Sequence, residues 1–94
     1  MTKMSDNIQW SVYILQCGDG SYYTGVTKSV KRRVGEHENG KGAKYLRGRG
    51  PLEVVFQKIV ESYGSALKKE KKIKKLSRIN KIKLISNPSL FDLL

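Results

Sequence analysis

The sequence predicts one small α+β domain, in which two strands come first, a third strand comes later, and helices lie between and after them. Three observations support this prediction. Strand-forming residues flank a Gly-Asp-Gly turn near the start, and a nearly continuous apolar run covers 52–60. Helical spacing of apolar residues, preceded by capping serines, follows both regions. Because 94 residues suffice for a single core, we expect one domain with the order β-β-α-β-α-α.

The charge and the cysteine count restrict the classes of function. A formal net charge of +11 attracts polyanions, and nucleic acid is the first candidate. An acidic membrane surface is the second, but no apolar run approaches the roughly 18 residues of a spanning helix. We therefore expect a soluble, cytoplasmic protein that binds nucleic acid and no membrane. A single cysteine and a single histidine cannot form a zinc site within one chain, so any metal would be a hard ion bound by oxygen.

The first predicted element is a hairpin over 12–26 with a three-residue loop that ends at Gly20. Such loops usually end with a residue at positive φ, which suits glycine. This register sets Tyr13 opposite Gly25, and it makes Tyr13 and Tyr23 diagonal neighbours on one face of the hairpin. The sequence therefore predicts two phenols that meet over a glycine.

A different hairpin register is the alternative to this prediction. A two-residue loop would shift the pairing by one and place Tyr22, rather than Tyr23, beside Tyr13. Either tyrosine could also serve only as a strand former with its hydroxyl at the rim of the sheet.

The two ends of the chain differ in character from the predicted domain, which spans 10–86. Residues 1–9 are polar and lack periodicity, so we expect a disordered arm. Residues 87–94 form an apolar tail, which either packs on the core or is buried against a second copy. The sequence leaves that choice and the oligomeric state open.

A helix is predicted from Val30 to Glu38, with Ser29 among the candidate caps. On a helical wheel Arg33 and His37 share a stripe with the apolar Val34, so both border the face that packs on the hairpin. The alternative is that the arginine extends along the apolar surface and that the histidine is an ordinary half-buried one.

Residues 40–51 form a basic, glycine-rich segment that we interpret as a surface loop with one helical turn at most. Its backbone N–H groups and basic side chains suit phosphate oxygens, and its tyrosine suits stacking on a base or a sugar. The candidate nucleic-acid-binding residues are Lys41, Lys44, Tyr45, Arg47 and Arg49. The alternative is a flexible, soluble connector.

The second half of the chain predicts a strand and two helices. The strand over 52–60 is apolar enough to be covered on both faces by helices. A helix over 62–77 follows, capped by a serine. A last helix begins near Ser77, carries Ile79, Ile82 and Ile85 inward, and ends before Asn87.

Glu70 is the only acid of the helix over 62–77, and it falls within the apolar stripe of that helix. Burying a carboxylate without a partner costs several kcal/mol, so a cation is expected beside it. That cation is either a side chain, such as Arg33 or a lysine, or a metal ion.

These residues resemble the GIY-YIG endonuclease domain. Ser11-Val12-Tyr13 stands where the family has Gly-Ile-Tyr, and Tyr23-Thr24-Gly25 stands where it has Tyr-Ile-Gly. Arg33 follows the second motif, His37 lies one helical turn later, and Glu70 lies on the helix after the third strand. The resemblance covers about 10–85 and is greatest to the small stand-alone bacterial members of the superfamily.

The resemblance implies a three-stranded antiparallel sheet flanked by helices and metal-dependent hydrolysis of phosphodiester bonds in DNA, with RNA as the other nucleic acid to consider. We expect a structure-directed or weakly sequence-specific nuclease, used in DNA repair or recombination. Three departures limit the match. Ser11 replaces a glycine, Val26 stands where some repair nucleases have a lysine, and a late asparagine of relatives has no clear counterpart, although Asn80 is nearby.

The resemblance also implies roles for individual residues, which should meet on one concave face. The expected catalytic residues are Tyr13, Tyr23, Arg33, His37 and Glu70. Glu70 would hold one Mg²⁺ or Mn²⁺, and Arg33 would neutralise charge on the phosphoryl group. Tyr23, helped by Tyr13 and His37, would position or deprotonate the attacking water; which of Tyr23 and His37 takes the proton stays open. Two alternatives are a binding module of the same fold without catalysis and a basic protein associated with RNA or the ribosome.

Overall fold

The computed structural model describes residues 9–94, so the predicted arm lies outside the described residues except for Gln9. Within these residues three strands are present, β1 at Trp10–Gln16, β2 at Tyr22–Thr27 and β3 at Glu53–Val60. The same described range contains three α-helices, α1 at Val30–Glu38, α2 at Tyr63–Lys74 and α3 at Arg78–Ser86. Short 3₁₀ helices cover Lys44–Leu46 and Pro88–Leu93. The predicted element order is confirmed.

The strands form one antiparallel sheet in the order β2-β1-β3, as the sequence led us to expect. Tyr13 pairs with Gly25 and Leu15 with Tyr23, so the three-residue hairpin loop is confirmed and the shifted register is wrong. Gly20 has a φ of 86°, which explains why a glycine closes this loop.

Each α-helix begins where a serine side chain accepts a hydrogen bond from a free backbone N–H group of the first turn. Ser29 caps α1, Ser62 caps α2 and Ser77 caps α3. These caps fix the helix starts that the sequence predicted.

The two faces of the sheet carry separate apolar clusters. On the face that packs against α2 and α3, the buried residues are Val12, Ile14, Phe56, Ala66, Ile73, Leu84 and Phe91. On the face toward α1, they are Tyr13, Leu15, Cys17, Val30 and Leu46. Because side chains alternate along β1, its odd-numbered positions face α1 and the candidate site.

Two packing predictions are wrong. β3 is an edge strand that is covered mainly on one face, and Ile59 on its other face is 57% exposed. On α3, Ile79 is 68% exposed and Ile82 is exposed, and Leu84 is the buried residue instead. Ile85 packs against the cluster on the α2 side, as predicted. The reason in both cases is that the helices cover only part of the sheet, and α3 packs chiefly on the C-terminal 3₁₀ helix.

The apolar tail packs on the core of its own chain, which decides between the two arrangements that the sequence allowed. The Phe91 ring lies 5.7 Å from that of Phe56, between centroids, and is buried. Lys69 Nζ donates to the carbonyl oxygens of Phe91 and Leu94, at 3.0 and 2.8 Å. Over the described range 9–94, no helix is long and apolar enough to cross a membrane.

Candidate functional site

Two tyrosines from the first hairpin form the floor of the candidate site. The ring centroids of Tyr13 and Tyr23 lie 6.4 Å apart on the α1 face of the sheet. The Tyr13 ring lies across Gly25, where a Cβ atom would come within 2.6 Å of the phenol oxygen. Only glycine at position 25 therefore allows the Tyr13 hydroxyl to reach over β2.

His37, the last inward residue of α1, is hydrogen-bonded through both ring nitrogens. Its Nδ1 accepts the backbone N–H of Ala43 at 3.1 Å, so Nδ1 carries no proton. Nε2 then carries the proton of the neutral ring and donates it to the Tyr13 hydroxyl at 3.0 Å. A Cβ atom at Gly42 would overlap the imidazole, so the chain after α1 fixes both the position and the tautomer of the ring.

The protonation of this pair follows from its surroundings. Burial, followed by Coulombic repulsion from the neighbouring Tyr23, raises the pKa of Tyr13 to about 12. Burial and then the positive charge of Arg33 lower the pKa of His37 below its usual 6.5. At neutral pH the site therefore contains a protonated phenol and a neutral imidazole.

Arg33 lies beside the Tyr13 hydroxyl and is held from its other side by an acid of the same helix. Its Nη1 donates to Glu36 Oε1 at 2.8 Å. The guanidinium keeps a partly exposed edge, since the side chain is only half-buried. Arg33 is thus a cation that borders the Tyr13–His37 pair and remains accessible to an anion.

The basic segment is attached to the site rather than being a plain connector. The Tyr45 ring stacks on that of Tyr23, with centroids 6.1 Å apart and planes at 25°. The Arg49 guanidinium lies 4.2 Å from the centroid of the Tyr45 ring, and its Nη1 lies 2.6 Å from Asp19 Oδ2 in the hairpin loop. Leu46 anchors the segment in the α1-side cluster. Lys41, Lys44 and Arg47 extend into solvent.

Glu70 lies on α2, the helix on the other side of the sheet from α1. Its helix α2 packs on the sheet face opposite Tyr23, mainly against β2 and β1. The negative charge of the Glu70 carboxylate also contributes to the raised pKa of Tyr13. Its contribution is smaller than those of burial and of Tyr23. Four of the five expected residues thus belong to the hairpin and α1, and the fifth belongs to the helix on the opposite face.

The cation beside Glu70 is a lysine. Lys74 Nζ lies 3.3 Å from Glu70 Oε2, and the Glu70 side chain is 18% exposed. Arg33, which the sequence offered as an alternative partner for Glu70, pairs with Glu36 instead. Among residues 9–94 no group of three or more His, Cys, Asp and Glu side chains could hold a metal together. A single, partly accessible carboxylate fits only an ion that keeps most of its waters and takes oxygen ligands from a substrate, as Mg²⁺ and Mn²⁺ do.

Several residues that shape the site were not identified from the sequence. Gly42 and Ala43 fix His37, and Leu46 anchors the basic segment. Asp19 was predicted only as a turn residue, yet it pairs with Arg49. An acid in the hairpin loop and an excess of cations in 40–51 were the available signals, but sequence spacing does not show which cation an acid meets.

The fold and the tyrosine, histidine and arginine cluster define a small α+β domain with a polar site on the α1 face of its sheet. The family model described as "GIY-YIG catalytic domain" matches residues 9–83, and the chain belongs to this family. A UPF0213 protein of Oceanobacillus iheyensis is 51% identical over 77 residues, which cover 82% of this chain and 90% of that protein.

Two solved structures resemble the fold. The UPF0213 protein BH0048 of Bacillus halodurans, solved by NMR, has a TM-score of 0.55 at 49% identity and covers 83% of both chains. The protein EF2693 of E. faecalis, also solved by NMR, has a TM-score of 0.62 at 36% identity, with 87% of this chain and 88% of that chain covered. These relatives are thus small proteins of similar length, as the sequence led us to expect.

Proposed function

We propose that this protein is a divalent-metal-dependent endonuclease that hydrolyses phosphodiester bonds in DNA, with structure-directed or weak sequence specificity. The observation that supports this proposal best is the position of Glu70. A mostly buried carboxylate lies within electrostatic reach of Tyr13 in a chain of net charge +11. A protein that only binds phosphates has no use for an acid there, because the acid repels them.

The hydrogen-bond directions support a positioning role for His37. Its Nδ1 is occupied by the Ala43 N–H, and its Nε2 proton is given to Tyr13. Taking up a further proton would break the bond to Ala43. His37 therefore orients the Tyr13 hydroxyl, whose own proton points away from the imidazole and is available to an oxygen of the substrate.

Tyr23 is the remaining group on this face that could position the attacking water. Tyr13 stays protonated because its pKa is raised to about 12, so it acts as a donor and not as a base. The role of Tyr23 requires a nearby positive charge, because a phenol is a weak base at neutral pH. Arg33 supplies charge on the same face and would neutralise the phosphoryl oxygens as negative charge develops there.

Glu70 would hold the divalent ion, with waters and phosphate oxygens as the other ligands. When bound, the ion supplies Lewis-acid polarisation of the phosphate and stabilises the leaving oxygen. The exposed cations Lys41, Lys44 and Arg47 would contact the phosphate backbone on either side of the cleaved bond.

The test is a cleavage assay with Mg²⁺ or Mn²⁺ on flaps, forks, single strands and plain duplex DNA, with EDTA as the metal-free control. We expect metal-dependent cuts and a loss of orders of magnitude in Glu70→Gln, which keeps the volume of the side chain but removes its charge. Glu61→Gln, which changes an exposed acid elsewhere, should cut like the parent.

Stability separates a role of Glu70 in catalysis from one in folding. Lys74, the partner of Glu70, is 55% exposed, so Glu70→Gln should change the free energy of unfolding by about 1 kcal/mol or less. A variant that melts far below the parent, or that cuts at the parental rate, contradicts the metal role.

Two other functions correspond to distinct results of the same assay. Metal-independent binding to DNA without cleavage of any substrate would indicate a binding module. Tight binding to structured RNA, with weak binding to every DNA, would indicate an RNA-associated protein. The exposed basic side chains suit either, and only the Glu70 carboxylate favours the nuclease.

A further inference from the structure

Three lysines surround Glu70 on the surface of α2. Leu67, Lys68, Glu70, Lys71 and Lys74 line a shallow pocket, and all three lysines are exposed at its rim. Lys69, on the same helix, is committed elsewhere, since its ammonium binds two carbonyl oxygens of the C-terminal tail. The lysines of the pocket are therefore distinct from those that hold the fold together.

Lys74 differs from Lys68 and Lys71 because its ammonium group forms an ion pair with the Glu70 carboxylate. Its ammonium lies 3.3 Å from Glu70 Oε2, while more than half of its side chain is exposed. A lysine side chain with this exposure can adopt other rotamers. A surface ion pair of this kind contributes little to the free energy of folding. The pair is close enough to compete with another cation and weak enough to be exchanged.

A divalent ion that approaches the free protein meets two obstacles. The ammonium of Lys74 already neutralises Glu70, and the positive charges of Lys68, Lys71 and the whole chain repel a second cation. A nucleic acid removes both obstacles, since its phosphates attract the lysines and neutralise the local positive field.

We propose that Lys68, Lys71 and Lys74 form a second binding site for nucleic-acid phosphates, and that Lys74 moves from Glu70 to a phosphate oxygen when nucleic acid binds. This exchange, which rests on the function proposed above, frees the carboxylate for the divalent ion. Metal and nucleic acid then bind with positive coupling, each raising the affinity for the other by the same factor. Because of the lysine cluster, the ion binds at Glu70 mainly in the complex with nucleic acid and only weakly in the free protein.

The first test measures Mn²⁺ binding to the free protein by electron paramagnetic resonance, without any cleavage. Lys74→Gln should raise the Mn²⁺ affinity by about two- to five-fold, the equilibrium equivalent of a surface ion pair. Lys75→Gln removes the same charge from an exposed position just beyond α2 and should have a smaller effect. Equal affinities in the two variants would overturn the exchange.

The second test measures duplex binding in EDTA as a function of salt. The double variant Lys71→Gln/Lys74→Gln should lower the salt slope by about one unit for each phosphate that the protein no longer neutralises. The matched double variant Lys72→Gln/Lys75→Gln carries the same net charge and should lower the slope less. Equal slopes would show that the pocket is no preferred phosphate site.

The third test adds a short duplex to the Mn²⁺ titration in a Tyr23→Phe background, with a gel to verify that the duplex stays intact. The duplex should raise the Mn²⁺ affinity, and the increase should be smaller when Lys74→Gln is added. An increase that is the same with and without Lys74 overturns the exchange. Unchanged Mn²⁺ binding in Glu70→Gln instead contradicts the metal role of Glu70, and with it the proposed function.

Discussion

His37 is the residue whose chemistry the structure defines most closely. It is the only histidine of the chain, it is buried, and it is neutral because its Nδ1 accepts a backbone N–H. The sequence predicted its face of α1, but the hydrogen bond to Ala43 depends on how the chain turns after the helix. Periodicity gives no information on that turn.

A pH dependence of stability follows at this residue. Because the pKa of His37 is lower in the folded protein than its usual 6.5, the unfolded chain binds more protons, and stability rises with pH. That stability is present above about pH 6.5 and is lost as the pH falls below it. Thermal melts across this range should show the loss in the parent protein.

The matching variant is His37→Gln, in which the pH dependence between neutral pH and about pH 5 should become flatter. Hydrogen bonds from Ser21 and Arg33 lower the pKa values of Asp19 and Glu36, respectively. The stability that these two acids contribute is therefore lost only below their usual pKa values of 3.8 and 4.5. A steep dependence that persists in the variant would show that the imidazole is not its cause.

The element that the sequence described least well is the basic segment 40–51. Its charge and glycines correctly indicated a surface loop with one helical turn, formed by Lys44–Leu46. The stacking of Tyr45 on Tyr23 and the pairing of Arg49 with Asp19 link parts of the chain that are far apart in sequence. Such contacts depend on the tertiary fold, which explains why five residues predicted as one binding group fall into two.

We expect these two groups to respond differently to neutralisation. Arg49→Gln should release Tyr45 from its position and lower the melting temperature, since the contact of guanidinium and ring alone contributes about 0.5–1 kcal/mol. Lys44→Gln/Arg47→Gln should leave stability within about 0.5 kcal/mol, because both side chains are exposed.

Duplex binding should respond in the opposite way, with the larger effect in Lys44→Gln/Arg47→Gln. For duplex binding in EDTA, the double variant should have a salt slope that is lower by about one unit for each phosphate left without its cation. A double variant that binds with the parental slope would identify the segment as structural only. Arg49→Gln that melts like the parent would show that the stack does not depend on its cation.

At the scale of the whole molecule, element order, sheet type and hairpin register were predictable because they depend on local pattern and turn chemistry. The packing of α3 and the coverage of β3 were not. Ile79, Ile82 and Leu84 are equally apolar, and which of them is buried depends on where α3 meets the C-terminal 3₁₀ helix. The metal role of Glu70 and the nucleic-acid role of the basic residues remain predictions.

The tail offers a test of how much a short terminal segment contributes. Phe91 is buried against Phe56 in the main cluster, so Phe91→Ala should cost about 3–5 kcal/mol. In a domain of this size that corresponds to a fall in melting temperature of more than about 10 °C. Leu93→Ala, at a position that is 81% exposed, is the control and should melt like the parent. Similar melting of the two variants would contradict the packing of the tail.

The open edge of β3 has a consequence for the protein at high concentration. Eight residues of unpaired strand edge, with Val54 and Ile59 exposed, offer a template on which another copy could add its own strand. A bulge at Val55 and the half-buried Lys58 disturb that template locally, but mutual repulsion between chains of net charge +11 is the longer-ranged protection. The range of this repulsion falls from about 10 Å at 0.1 M salt to about 3 Å at 1 M. Colloidal stability should therefore be greatest in dilute buffers, and high salt, which would also weaken the proposed binding of nucleic acid, should favour aggregation.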